Sequence, residues 1–277
     1  MAIARHRIEA IRRTAATRMW VVIVAASVAG SSVAIAADLT ALDITSRLHA
    51  ATDGVRADLK GRDLTRLDLS DLDFKQADLS RSDLFGSDLS GANLSGVNLE
   101  GAKLDRVTLV AARFDGATMN GASLLRPSAF TSLRPDRKEA PSFKATSLRG
   151  AHIFGRFTYA NFSSADLTDA TCAPFGRTGF IEHIWRSEFL SADLSNANLT
   201  RADLSHALLS FANLSGANLR DAVLRDADLT GANLTGADLT GADVTTADLS
   251  GAIVTGAKGL ETIKGLNEAL NVAKMIR

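Results

Sequence analysis

Residues 232–241 read Ala-Asn-Leu-Thr-Gly-Ala-Asp-Leu-Thr-Gly, two copies of a five-residue unit centred on leucine. The same spacing extends outward on both sides. Its centres are Phe189, Leu194, Leu199, Leu204, Leu209, Leu214, Leu219, Leu224, Leu229, Leu234, Leu239, Val244, Leu249 and Val254. The residue two before the centre is alanine at all thirteen positions from Ala192 to Ala252. An earlier tract repeats the pattern from Leu59 through Phe74, Leu79, Leu99, Phe114 and Met119 to Leu124, fourteen consecutive centres. A helix cannot use a period of five, because five steps of about 100° set successive leucines about 140° apart and smear them around the axis. A straight strand cannot use it either, since an odd period throws every second leucine onto the opposite face.

The chain must therefore turn once per unit, and the remaining positions, Asp/Asn, Ser/Thr and Gly, are turn residues. Each unit is a very short extended piece plus a corner. The centre and the alanine two before it face inward, the other three positions face water, and successive coils stack about 4.8 Å apart. Units such as Ala-Asn-Leu-Ser-Gly (92–96), Ala-Asp-Leu-Ser-Asn (192–196) and Ala-Asp-Leu-Thr-Gly (237–241) resemble the pentapeptide-repeat family, with its A(D/N)LxX units. The resemblance covers most of residues 57–257. It implies an all-β fold, a right-handed quadrilateral β-helix with twenty residues per coil, so that fourteen repeats make about 3.5 coils or roughly 17 Å of solenoid.

Between the tracts the phase slips. Phe143, Leu148 and Ile153 share one register, and Phe157, Phe162, Leu167 and Cys172 share another. All four prolines (Pro127, Pro135, Pro141, Pro174) lie in or beside breaks at 125–142 and 173–188, which suggests that proline is excluded from the stack. Ten of the fifteen aromatic residues fall within 130–189. They fill a core whose leucine ladder is interrupted, or they belong to a docking loop with basic neighbours, for which Arg134, Arg137, Lys138 and Trp185 are the candidates. Short helical caps are expected at both ends: an N-terminal cap within 37–56, and a C-terminal cap over 258–277, where Leu260, Ile263, Leu266, Leu270 and Ala273 read as helical spacing. The expected organisation is thus a leader at 1–36, the N-terminal cap, tract 1 at 57–124, interrupted repeats at 125–188, tract 2 at 189–257 and the C-terminal cap.

The leader carries five arginines and one glutamate in residues 1–18, an apolar run from Met19, and small residues ending Ala34-Ile-Ala36. This pattern reads as an export signal cut between Ala36 and Ala37, giving a periplasmic or extracellular protein. The alternative is an uncleaved inner-membrane anchor over 19–37, a stretch without charge, although Gly30, Ser31 and Ser32 dilute it. Lysine plus arginine equal aspartate plus glutamate, 31 each, in the whole chain. Without residues 1–36 the balance is 26 basic to 30 acidic, so no polycationic surface draws in nucleic acid.

No catalytic, cofactor or metal constellation stands out. One cysteine excludes a disulfide framework and a Cys-based zinc site, the histidines do not fall at ligand spacing, and nucleophile-elbow, P-loop and dinucleotide fingerprints are missing. A lysine- and arginine-free stretch from Asp226 to Ala257 carries Asp226, Asp228, Asp238, Asp243 and Asp248, a candidate acidic interaction patch. The expectation is a non-enzymatic, rigid interaction or structural module of the bacterial cell envelope with an unknown protein partner. Membrane contact is expected only through the leader if it stays uncleaved. The family resemblance implies one alternative, an acidic DNA mimic that binds and inhibits a type II topoisomerase.

Overall fold

Why this chain coils is visible in its amide donors. At a standard unit, the N–H of the centre donates to the next coil (Leu79 to Asn98 O, 2.7 Å) and the N–H before it to the previous coil (Asn98 to Ala77 O, 3.1 Å). The corner residue donates to the next coil (Arg81 to Glu100 O, 2.8 Å), and the first residue of the following unit closes a turn (Ser82 to Leu79 O, 3.1 Å). The N–H just after the centre is left over. It donates to the Asp or Asn two residues back, as Ser80 does to Asp78 Oδ1 at 2.9 Å and Ser195 to Asp193 Oδ1 at 3.0 Å. The Asp/Asn position thus completes the backbone hydrogen bonding of the turn.

The structure is a computed structural model and describes residues 38–51, 55–173 and 186–277. Parallel bridges join each side to the side twenty residues on: Asp58 to Asp78, Asp63 to Asp83, Asp68 to Asp88 and Asp73 to Asn93, after which the first series recurs at Asp78 to Asn98. Four sides therefore pass before a ladder is revisited. In two places the ladder lengthens into three-residue strands, β1 (Ser123–Leu125) and β2 (His152–Phe154), paired parallel with Leu124 opposite Ile153. The inward positions form one continuous core, with Leu94, Leu214, Ala92 and Ala212 all at 0% exposure. Burying each leucine contributes about 1.5–3 kcal/mol. Where serine or threonine replaces the small inward alanine, its hydroxyl finds a backbone carbonyl: Ser82 donates to Leu79 O (2.7 Å), Ser87 to Leu64 O (2.6 Å) and Thr146 to Phe114 O (2.7 Å).

The irregular middle is the same stack with changed side lengths. Thr108 still bridges Ser128 at an offset of 20, but Arg113 bridges Ser142 at 29, so extra residues enter after Ala129. The following coil is one residue short (Ser142 to Asn161, Ser147 to Asp166), and a second insertion raises the offset to 32 at Arg156 to Glu188. The break expected at 125–142 is therefore too wide at its start. Ser128 is still in the ladder, and Ala129, 2% exposed, occupies a centre position. Proline is not excluded from the stack: Pro127 and Pro141 are buried at the inward position two before Ala129 and Phe143. That position's N–H serves only the local turn, and beside an insertion the turn can be forgone.

At the N-terminal end, α1 (Ala41–Ala50) opens with a capping box: Asp43 N–H donates to Thr40 Oγ1 at 3.2 Å and Thr40 N–H to Asp43 Oδ2 at 2.9 Å. Its Ile44 and Leu48 are buried against the core. The C-terminal helix expected over 258–277 is not what forms. The ladders continue through Lys258, Lys264, Leu270 and Ile276, six residues apart, with only a 3₁₀ turn at Val272–Lys274. Ala257, Leu260, Ile263, Leu266, Ala269, Val272 and Met275 pack on the core, every third residue. A six-residue side presents two inward residues three apart, and that period passes for a helical one over a short window. Corners with positive φ also come every six residues: Gly259 (φ +75°), Gly265 (φ +70°) and Asn271 (φ 57°). At Gly259 the closeness of Thr240 backbone leaves no room for a Cβ, which would lie 2.5 Å from Thr240 Cα.

Candidate interaction surface

The five aspartates of the acidic candidate do not make a common face. Asp228 and Asp248 share one ladder, Asp238 lies on a second and Asp243 on a third, while Asp226 is at a corner with φ 55°. Each is engaged within the stack. Asp228 accepts from Ser210 Oγ (2.6 Å) and Thr230 N–H (2.9 Å), and Asp248 from Ser250 N–H (2.9 Å) and Asn271 Nδ2 (2.8 Å). Asp226 accepts from Thr246 Oγ1 (2.6 Å), with His206 Nδ1 at 3.7 Å. Asp238 pairs with Arg220 at 3.2 Å, and Asp243 with Arg225 at 2.6 Å. Cations eighteen residues earlier in sequence thus sit against carboxylates inside a stretch that holds no cation of its own.

These contacts hold several carboxyls below their ordinary range. For Asp238, the Thr240 hydroxyl and N–H lead, with Arg220 assisting. For Asp228 and Asp243 burial alone would raise the pKa, but the hydroxyls of Ser210 and Thr230, or of Thr245 with Arg225, outweigh it. A carboxyl depressed on folding stabilises the fold above its unfolded value near 3.9, and that contribution is lost as pH falls through the folded value. The melting temperature is therefore expected to stay level from about pH 7 to about pH 5 and to drop below about pH 4. A melting temperature that rises on acidification to about pH 3 would contradict the role given to these side chains.

The buried aromatic residues serve packing. Phe114, Phe143 and Phe162 stack face to face at 5.0 and 4.7 Å between centroids, and Phe157 lies parallel to Phe189 at 5.6 Å. Cys172 is a fully buried centre residue, and burial, with Asp203 nearby, pushes its thiol up to about 12. Among the described residues no group of three His, Cys, Asp or Glu side chains is placed to hold a metal ion. None of the helices there is long and apolar enough to cross a membrane.

Of the loop candidates, Arg134, Arg137 and Lys138 lie on one excursion from the stack. Residues 130–140 leave the stack beside Ala129, and the chain rejoins it at Pro141 and Ser142. The excursion is stapled across its base: Thr131 N–H and Oγ1 donate to Glu139 (3.1 and 2.5 Å), and the Arg137 guanidinium lies 4.5 Å over the ring of Tyr159. Tyr159 is itself held at φ 62°, an uncommon conformation for so large a residue. Arg134 and Lys138 are exposed. Under the loop runs a groove of about 380 Å³ lined by Pro127, Ala129, Phe130, Leu133 and Arg156 among others. Leu133 is 91% exposed at its edge. Arg156, not foreseen from sequence, reaches the groove because its ladder partner is Glu188 (Nε to Oε2, 3.1 Å), and it lies 5.9 Å from the Phe130 ring. Only the 32-residue offset brings the two together, and no local motif announces it. Trp185, together with Ala36, Ala37 and the 19–37 segment, lies outside the described residues.

The model of the family described as pentapeptide repeats (8 copies) matches residues 55–91, 92–124, 187–226 and 227–258. No curated protein matches the sequence. Among solved structures, HetL, a pentapeptide repeat protein involved in heterocyst differentiation regulation from the cyanobacterium Nostoc sp., is 25% identical over 86% of this chain and 94% of its own, with a TM-score of 0.49. A pentapeptide repeat protein from the Arabidopsis thaliana thylakoid lumen is 28% identical over 34% of this chain and 61% of its own, with a TM-score of 0.27. QnrB1, a plasmid-mediated fluoroquinolone resistance protein, is 17% identical over 75% of this chain and 84% of its own, with a TM-score of 0.30.

Proposed function

The chain belongs to the pentapeptide-repeat family, and on that premise we propose that it is a non-enzymatic, exported solenoid that serves the cell envelope as a rigid protein-interaction module. We read its coils as right-handed and four-sided, with α1 as the N-terminal cap. The observation that carries the interaction reading is where the irregularity lies. The interior is filled by Leu, Ala and Phe at almost no exposure, while the first of the two insertions is displaced sideways into a loop with an open groove at its start. Recognition elements on loops of rigid scaffolds take this form.

Export rests on the leader: five arginines, an apolar run and the Ala34-Ile-Ala36 site. Sequencing the N-terminus of the protein purified from its native cells, with fractionation, tests it. The expected mature chain begins at Ala37 and is recovered outside the cytoplasm. An intact Met1 in the membrane fraction would favour the anchor over 19–37, and an intact Met1 in the cytosol would overturn export.

A further inference from the structure

We propose that one side of the stack, over five consecutive coils, binds an extended polysaccharide strand laid parallel to the solenoid axis. The inference goes beyond the interaction-module reading, since it needs neither the 130–140 loop nor a protein partner.

The site is a break in the turn chemistry. In a standard unit the N–H after the centre donates to an Asp or Asn on the outer surface. On this side it does so at Ser90 (to Asp88, 2.9 Å) and again at Thr230 (to Asp228, 2.9 Å). Between them the acceptor position holds Thr108, Ser128, Arg156, Glu188 and Leu208. These five stand in one column: Asp88 bridges Thr108 and Thr108 bridges Ser128, Gly155 abuts Pro127, and Arg156, Glu188, Leu208 and Asp228 bridge in turn. The N–H groups of Val110, Phe130, Thr158, Leu190 and Ser210 accordingly have no hydrogen-bond partner among the described residues.

On the other sides an Asp or Asn of the preceding coil can make good the same loss. Asp105 accepts from Leu125 N–H (3.0 Å), Asp115 from Lys144 N–H (3.2 Å) and Asn120 from Arg149 N–H (3.0 Å). The five N–H groups of this column have no such replacement. In its middle coil the hydroxyl of Thr158, a residue only 5% exposed, also lacks a partner. Donors left open in a row, where the normal acceptor lies on the outer surface, are set to receive the oxygen atoms of a ligand.

Spacing and surroundings select that ligand. The donors repeat with the coils, about 4.8 Å apart. An extended polypeptide presents same-facing carbonyls only every second residue, about 6.6–6.8 Å, and falls out of step at once. A nucleic-acid strand needs cations along its path, and the one cation among the five acceptor positions, Arg156, is paired with Glu188 at 3.1 Å. A straight β-linked glycan advances by one sugar in nearly the coil spacing, and its sugars carry oxygen acceptors at their edges and C–H groups on their faces. Apolar side chains flank the donors to meet those faces. Val110, Phe130 and Leu190 belong to the donor residues themselves, and Leu208 stands where the repeat has Asp or Asn. Phe211 is 66% exposed, with its ring fixed against the next coil, where a Cβ on Gly231 would lie 2.6 Å from Phe211 Cε1.

Co-sedimentation of the purified protein with chitin, cellulose and isolated peptidoglycan, with amylose resin as the α-linked control, tests the assignment. Retention by at least one of the three β-linked polymers, above that by amylose, is expected. The Thr108→Asn, Ser128→Asn, Leu208→Asn triple variant restores the turn acceptor to three of the five coils. Its melting temperature should hold or rise while its dissociation constant for the polymer rises about tenfold or more, because three donors are then taken within the chain. Phe211→Ala should weaken retention severalfold with an unchanged melting curve. No retention by any of the three polymers, equal retention by amylose, or full retention of the triple variant would overturn the proposal. So would a dimer of the parent chain that the triple variant dissolves, since the column would then be a contact between copies.

Discussion

Leu214→Asp is expected to destabilise the protein by more than about 4 kcal/mol, a loss large enough to unfold the second tract at moderate temperature. Leu214 has no exposure, and its backbone N–H donates to Asn233 O at 2.7 Å. The carboxylate would be set among Leu194, Leu234 and the inward alanines, without a cation or a hydrogen-bond donor on the inside of the coil. Each coil of a solenoid touches only its neighbours, so a failed coil also cuts the coupling between those on either side. Thr235→Lys on the neighbouring coil is the matched control. Thr235 is exposed, and a change within about 0.5 kcal/mol is expected there. Chemical denaturation followed by circular dichroism measures both, and similar losses in the two variants would contradict the inward and outward assignment.

The second large effect is expected at Phe143. Its ring is sandwiched between Phe114 at 5.0 Å and Phe162 at 4.7 Å, and Phe157 meets it edge-on at 6.1 Å. Phe143→Ala removes about 3–5 kcal/mol through lost burial and the cavity left behind, and the broken ring pairs add about 0.5–1.5 kcal/mol each. Phe143→Leu should cost far less, since leucine fills the equivalent centre in Leu94 and Leu214. Phe143 is also the first centre after the 130–140 excursion, where the chain re-enters the core. A Phe143→Ala protein that melts with the parent would mean that the aromatic column is not a packing element.

Much of this architecture is legible in the sequence because a solenoid is one-dimensional: a residue's position along the chain fixes both its side and its depth. Leu59, Leu124 and Val254 lie at 0%, 1% and 3% exposure, as their period requires. The errors come where side length changes. Ala129 fills a centre position without looking like a leucine, which hides one side of a coil. In the last coil, apolar residues three apart between Leu260 and Met275 imitate a helix whose true period is 3.6. The groove is harder still to read. Arg134, Arg137 and Lys138 are visible as a basic cluster, but the contributions of Arg156 and Tyr159 depend on how many residues each insertion adds between ladders.

The turn position before each centre has a further consequence for how such a surface can change. The backbone asks for one acceptor there, Oδ1, which aspartate and asparagine supply alike: Asp78 and Asn98 occupy successive coils of one ladder, and Asn98 Nδ2 donates to Asp78 Oδ1 at 3.0 Å. Exchanging one for the other alters a full elementary charge while leaving the acceptor, the shape and the buried side of the coil in place. The electrostatic pattern is therefore nearly decoupled from folding. It can be rewritten one site at a time on a grid five residues wide and twenty residues deep, so that proteins sharing this scaffold are free to differ in what their flanks attract.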